Sequence, residues 1–130
     1  MIREYNNIIF INKPLYITIL RDNVECFQEM MTNDLYQDDE LLTKSVDPKS
    51  YEFKELILRD YPPLLSVCAY FKALKIVKYL LMNDVNPHAT DTKGRLITHF
   101  AAAGGDLRIL LILNEFGLDF KEEDSRILFF

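Results

Sequence analysis

The feature that most constrains this chain is an internal repeat with a period of 33 residues. Residues 67–85 coincide with residues 100–118 when the sequence is shifted by that period. Small residues fall on small ones and branched apolar residues on branched apolar ones, while the polar positions between them vary. The clearest pairs are Cys68 with Ala101, Ile76 with Ile109, and Leu80 with Leu113. This pattern is typical of a solenoid built from one repeated supersecondary unit.

The last unit has the pattern of two short helices. Small apolar residues over Thr98–Gly104 predict a first helix that packs closely on its neighbours, and the pair Gly104-Gly105 predicts its end. An apolar stripe at helical spacing predicts a second helix over Leu107–Phe116. Asp106 is placed to cap that helix and Gly117 to close it.

Two earlier units follow the same plan. The middle unit predicts helices over Leu64–Phe71 and Leu74–Met82. A first unit is visible upstream, with one helix beginning at Lys13 and a second over Val24–Met31. Its offset from the middle unit is 50 residues rather than 33, so about 17 residues are inserted between them.

The segment that begins at Asp91 resembles the ankyrin repeat. The family pattern is D-x-x-G-x-T-P-L-H-x-A-A-x-x-G-H followed by L-x-x-V-x-x-L-L-x-x-G-A-D, and here Leu96 and Ile97 replace its Thr-Pro pair. The matching residues are Asp91, Gly94, His99, Ala101, Ala102, Gly105, Leu107, Leu113, Gly117 and Asp119. The resemblance implies an all-α ankyrin solenoid of about three helix-turn-helix units with finger loops. Divergent arrays of this kind are abundant in some unicellular eukaryotes.

We therefore interpret residues 1–130 as a single ankyrin-repeat domain. Its predicted parts are repeats at 12–35, 61–90 and 91–123, an insert at 36–60 with a short helix near Tyr51–Leu58, and the start of a further repeat at 124–130. Solenoids need polar caps, so the apolar end Ile127–Phe130 predicts self-association through an uncapped C-terminal end. The chain is then either part of a longer array or an array that closes its end unusually.

The residues that bear chemistry form no catalytic pattern, so we expect no enzymatic activity, no cofactor and no metal. Two histidines with Cys26 and Cys68 do not have zinc-site spacing, and neither a phosphate-binding loop nor a nucleophile elbow is present. His99 occupies the histidine position of the family pattern. The resemblance implies that its imidazole hydrogen-bonds neighbouring loops.

Net charge and hydropathy limit the classes of partner that the chain is expected to bind. The net charge is −5, which disfavours nucleic acid, and no apolar stretch is long enough to span a membrane. The N-terminus lacks the pattern of a signal peptide, so we expect a cytoplasmic protein, with the nucleus as the alternative.

The resemblance implies that the chain binds a protein partner, whose identity the sequence does not give, through the concave ankyrin surface. The predicted binding residues are Arg59, Tyr61, Tyr70, Phe71, Lys93 and Arg95. Aromatic and arginine side chains at outward positions are typical of interface hot spots. Two alternatives stay open here: Phe71 packs under the insert of its own chain, or the chain is a structural fragment of a longer array with no partner of its own.

Overall fold

A computed structural model of the protein describes residues 8–9, 13–32, 45–47 and 55–118. The described residues form six α-helices in three successive pairs. They are α1 (Lys13–Leu20), α2 (Val24–Thr32), α3 (Leu64–Tyr70), α4 (Leu74–Met82), α5 (Ile97–Gly104) and α6 (Leu107–Glu115). The predicted all-α class is confirmed.

The helix bounds agree closely with the sequence pattern. The prediction for α4 is confirmed at both ends, and α3 and α6 each end one residue earlier than predicted. Within the insert, the short helix expected near Tyr51–Leu58 is a 3-10 helix over Leu56–Leu58, and residues 51–54 lie outside the described residues. The predicted further repeat at 124–130 also lies outside them.

Two short strands were not predicted. Strand β1 (Ile8–Ile9) pairs in parallel with β2 (Ser45–Val46), which belongs to the insert. The backbone N–H of Val46 donates to the carbonyl oxygen of Pro62 at 2.7 Å, and the Val46 side chain is fully buried. The insert is thereby anchored directly before α3. Strands of two residues are too short to give an alternating hydrophobic pattern, which is why the sequence did not reveal them.

The turn inside each helix pair has the same backbone conformation. Asp22, Lys72 and Gly105 occupy the same position of the three units and have φ values of 51°, 64° and 81°. A positive φ is uncommon for residues other than glycine. Its recurrence at one position of each unit indicates that the three helix pairs share one turn geometry, although the sequence keeps glycine only in the last.

The hydrophobic core is centred on α3. Leu64–Ala69 are all buried, because α3 lies in the middle of the stack. The most extensive helix contact of the described chain joins α3 to α5, whereas the backbones of α1 and α3 approach each other much less.

Ala101 and Ala102 belong to the first helix that is predicted to pack closely on its neighbours, so burial of both is expected from the sequence. Ala101 is fully buried, but Ala102 is only half-buried. Its counterpart in the middle unit, Ala69, is fully buried because α5 packs on that side of α3. Among the described residues no further helix packs on the same side of α5, which explains the difference.

Gly104 sets the distance between α3 and α5. A Cβ atom added at Gly104 would overlap the carbonyl oxygen of Tyr70 and would lie 3.0 Å from the Tyr70 carbonyl carbon. Both are backbone atoms, so they could yield only if the helices moved apart. Gly104 is therefore part of α5 and serves close packing, whereas the left-handed Gly105 ends the helix.

The first unit caps a helix of the second unit. The Asp22 carboxylate accepts hydrogen bonds from the backbone N–H groups of Lys75 and Ile76, both at 3.0 Å. Ala73, which precedes α4, has no side chain that could cap it. In α6 the same position is Asp106, whose carboxylate accepts the N–H of Arg108 at 3.0 Å. The cap that α4 lacks locally thus comes from the preceding unit.

Replacing Asp22 with alanine is expected to lower the free energy of unfolding by about 1–2 kcal/mol. The substitution removes both acceptors from the α4 N-terminus and puts alanine at a φ of 51°. Asp22→Asn is the control, because asparagine keeps a carbonyl oxygen and tolerates the left-handed conformation. Urea unfolding monitored by circular dichroism measures the difference, and equal stability of the two variants would refute the cap.

Candidate functional site

Arg95 joins two neighbouring finger loops. Its Nε donates to an Asp91 carboxylate oxygen at 2.7 Å, and one terminal nitrogen donates to the Asp60 carboxylate at 2.9 Å. The same nitrogen donates to the carbonyl oxygen of Ile57 at 3.0 Å. Residues 55–61 and 91–95 are therefore held together by one guanidinium, an arrangement that we call the Arg95 clamp.

The Asp91 carboxylate is the buried centre of the Arg95 clamp. Its side chain has 0% exposure, against 26% for the side chain of Arg95. Besides the guanidinium, it accepts the backbone N–H groups of Lys93 and Arg95 at 3.0 and 2.8 Å. The guanidinium carbon also lies 5.7 Å from the centre of the Phe100 ring. A buried carboxylate needs such compensation, so Arg95 contributes directly to the folded loop.

Backbone contacts complete the connection between the loops. The N–H and the hydroxyl of Thr92 both donate to the carbonyl oxygen of Asp60, at 2.8 and 3.1 Å. Tyr61 and Gly94, which are 33 residues apart, have φ values of 55° and 77°. The two loops therefore share one turn geometry, with a tyrosine in the position that glycine occupies in the next repeat.

Two of the three cationic residues that were predicted to bind a partner are accessible at these loop tips. Arg59 is exposed, and the Lys93 side chain is 67% exposed with its Nζ 3.8 Å from the Asp60 carboxylate. Arg95, by contrast, is engaged with two carboxylates. The positive charge accessible at the tips is thus that of Arg59 and Lys93.

Three aromatic side chains cluster where α1 faces α3. The Phe71 ring lies edge-to-face against Tyr16, with centroids 5.5 Å apart, and edge-to-face against Tyr70, with centroids 5.2 Å apart. All three residues are half-buried. Residues 36–44 and 48–54 of the insert lie outside the described residues, so packing of Phe71 under the insert stays a prediction.

Apolar residues also occupy one outward position of all three first helices. Leu20, Tyr70 and Ala103 are equivalent by the offsets of 50 and 33, and we call them the inner-helix stripe. Leu20 is 48% exposed, Ala103 is exposed and Tyr70 is half-buried. Burial and the nearby Glu55 carboxylate raise the pKa of the Tyr70 phenol, so its hydroxyl stays neutral. The inner-helix stripe offers aliphatic and aromatic contact area with one hydroxyl.

The cysteine and histidine side chains, which are the best candidates for catalysis or metal binding, are dispersed through the stack of repeats. Cys26 and Cys68 are free thiols, and burial raises the pKa of the Cys68 thiol, which disfavours the nucleophilic thiolate. His99 is half-buried on α5 and His88 is exposed. Within residues 8–9, 13–32, 45–47 and 55–118, no three His, Cys, Asp or Glu side chains form a group that could hold a metal ion.

Sequence reasoning did not identify two participants in this site, Ile57 and Tyr16. It placed Asp60 at a loop tip but did not predict that Asp60 pairs with Arg95, 35 residues away. Ile57 holds Arg95 from 38 residues away, and Tyr16 supports Phe71 from the first unit. The 33-residue offset contained part of the signal, because it aligns Tyr61 with Gly94 and so brings the two loops into register.

Comparison with known families agrees with this geometry. Residues 65–113 match the family model described as ankyrin repeats in many copies, which covers most of α3 to α6. No curated relative matches the chain. In the part of the chain that the structure describes, every helix is too short or too polar to cross a membrane.

Proposed function

We propose that this chain binds a partner protein through its inner-helix stripe and loop tips, because residues 65–113 match ankyrin repeats, which generally mediate protein–protein interactions. On this proposal the chain acts as a binding module or scaffold, and binding is reversible association with a preformed surface. The proposal involves no catalytic step and no cofactor. We also propose a cytoplasmic or nuclear location, which the free thiols of Cys26 and Cys68 support.

The observation that carries the proposal is the aromatic cluster beside the inner-helix stripe. Tyr70 and Phe71 are partly accessible, and Tyr16 supports Phe71 from one side. On the other side, α5 lies against the backbone of Tyr70 at Gly104. Rings held in this way lose little conformational entropy on binding, and aromatic residues concentrate at interface hot spots.

The loop tips supply the second part of the proposed surface. Arg59 and Lys93 are exposed cations on a chain whose net charge is −5. They would favour a partner segment that carries acidic residues next to apolar ones, because complementary charge raises the association rate. Arg95 and Tyr61 belong to the same proposed surface. Their geometry supports a role in holding the loops, with Arg59 and Lys93 contacting the partner.

Tyr70→Ala is expected to weaken partner binding by about 2 kcal/mol, roughly thirtyfold, because it removes the central ring of the proposed surface. Lys78→Ala is the matched control, since Lys78 is exposed on α4, the second helix of the same unit. Wild-type chain and both variants serve as baits in parallel pull-downs, with circular dichroism confirming that each is folded.

The expected result is a set of proteins retained by the wild type and by Lys78→Ala but lost with Tyr70→Ala. Calorimetric titration of one such protein then measures the change in Kd. If the Lys78 variant is the one that loses the bound proteins, the partner does not bind the inner-helix stripe. The insert at 36–60 is then the next region to test.

A further inference from the structure

The middle unit has no glycine at the three positions where the last unit uses glycine for a left-handed turn. The glycines of the last unit are Gly94, Gly105 and Gly117, with φ values of 77°, 81° and 86°. The residues 33 positions earlier are also left-handed, and they are Tyr61, Lys72 and Asp84, with φ values of 55°, 64° and 61°. Aspartate tolerates this conformation, but for a bulky residue such as Tyr61 it is an outlier that costs stability. The chain thus has a strained tyrosine in a turn that glycine forms without strain in the next repeat.

The fold needs the backbone turn at residue 61 but not the tyrosine side chain. Tyr61 is half-buried, yet it is not among the side chains that pack against the hydrophobic core. In the described part of the chain its hydroxyl has no hydrogen-bond partner and its ring contacts no other aromatic ring. Gly94 makes the same turn with no side chain at all. Nothing in the connection between the two loops therefore depends on the tyrosine ring or on its hydroxyl.

Tyr61 lies beside the cations of the loop tips. It follows directly after Arg59 and Asp60, and Arg59 is exposed. The Lys93 Nζ lies 3.8 Å from the Asp60 carboxylate, which brings a second cation to the same tip. A phenol hydroxyl can donate a hydrogen bond, and hydrogen bonds from donors to a carboxylate are among the strong ones in proteins. The hydroxyl of Tyr61 and the two cations together suit an acidic side chain.

We propose that Tyr61 determines partner specificity at the loop tips, where its ring packs against the partner and its hydroxyl donates to an acidic side chain of the partner. The turn geometry of Tyr61 helps to hold the loops, and its side chain adds recognition. Functional sites retain conformations that cost stability when the residue is needed for function, and partner recognition accounts for a strained side chain that the fold does not use. This inference rests on the proposed function and extends it from a surface to a residue that selects the partner.

The first test compares Tyr61→Gly with Lys72→Gly, which relieve the same strain at opposite ends of α3. Each is expected to raise the midpoint of thermal unfolding by about 2–5 °C, because glycine adopts a positive φ without steric cost. Lys72→Gly is the matched control, since Lys72 is exposed in the turn between α3 and α4, away from the loop tips. Thermal melts followed by circular dichroism measure both shifts.

The second test measures binding with a random peptide library displayed on phage. Peptides are selected on the immobilised wild-type chain and kept only if they do not bind Tyr70→Ala, which restricts them to the proposed surface. Fluorescence polarisation then gives the Kd of a selected synthetic peptide. Tyr61→Gly is expected to bind it at least about tenfold more weakly than the wild type, although the variant is more stable, and Lys72→Gly is expected to bind it equally well.

The third test isolates the hydroxyl. Tyr61→Phe keeps the ring and the backbone strain, so it is expected to melt like the wild type and to bind the peptide about tenfold more weakly. The selected peptides are expected to contain an acidic residue. When that residue is replaced by its amide, the wild type and Tyr61→Phe should bind the peptide equally, because the partner group of the hydroxyl has changed.

The outcomes separate this inference from the proposed function. Peptides that depend on Tyr70 but bind Tyr61→Gly as tightly as the wild type would overturn the role of Tyr61 and leave the proposed function intact. A Tyr61→Gly variant that melts below the wild type, while Lys72→Gly melts above it, would show that the fold needs the ring and would also overturn the inference. A library that yields no peptide dependent on Tyr70 would count against the proposed function and this inference together.

Discussion

Replacing Arg95 with alanine is expected to lower the free energy of unfolding by about 2–3 kcal/mol. The substitution leaves the Asp91 carboxylate, with 0% side-chain exposure, without its cationic partner and frees Asp60 from the neighbouring loop. The two backbone N–H groups that Asp91 accepts remain, which keeps the loss below that of an uncompensated buried charge. Urea unfolding monitored by far-ultraviolet circular dichroism measures the effect.

Lys93→Ala is the matched control for this prediction. Lys93 lies in the same loop, but its ion pair with Asp60 is 3.8 Å long and its side chain is 67% exposed. Exposed pairs of this kind contribute about 0–1 kcal/mol, so the control should remain close to the wild type. Equal losses for the two variants would mean that the Arg95 clamp does not stabilise the loops as its geometry indicates.

Gly104→Val is expected to destabilise the fold by about 2–3 kcal/mol more than the same substitution at Ala103. The added Cβ overlaps the Tyr70 carbonyl oxygen, so α5 must shift away from α3, its most extensive contact. The shift also withdraws the support that α5 gives to Tyr70, so partner binding should decline with stability.

Ala103→Val controls for the low helix propensity of a branched residue, because Ala103 is exposed in the same helix. Thermal and urea unfolding of both variants give the comparison. If the two valine substitutions lower the free energy of unfolding equally, the close approach of α3 and α5 at Gly104 does not constrain the fold.

The repeat was predictable because stacked units impose the same local requirements every 33 residues. Apolar positions such as Ile76 and Ile109 reappear at that interval and are fully buried in both units. The N-terminal cap of α6 was also predictable, since Asp106 is adjacent to the helix that it caps. Local signals of this kind need no knowledge of the tertiary structure.

The contacts that join different units were not predictable from local signals. Asp22 caps a helix that begins about 50 residues later, and Arg95 reaches Asp60 and Ile57 in the preceding loop. Lys72 adopts the left-handed conformation at the turn position where the ankyrin pattern has glycine. A lysine side chain does not predict this conformation. Each of these features depends on how neighbouring units stack.

The candidate site also contains residues that local signals identified and contacts between units that they did not. Tyr70 and Phe71 were identifiable as candidate interface residues because they are aromatic at positions of the first helix that vary between units, with Ala103 and Gly104 as their counterparts in the last unit. Their half-buried state depends on Tyr16 in the first unit, which lies beyond a long insert. The sequence predicted that Arg95 contacts a partner, whereas its ion pairs with Asp60 and Asp91 indicate that it holds the loops.

The central claim is that a partner protein binds the inner-helix stripe and the loop tips. Hydrogen–deuterium exchange of the chain, with and without a captured partner, tests this claim most directly. We expect new protection at the loop tips and on the first helices α1, α3 and α5, strongest around Tyr70 and Phe71. The second helices α2, α4 and α6 should exchange as in the free chain. Protection confined to those second helices, with α3 and the loop around Lys93 unchanged, would contradict the account.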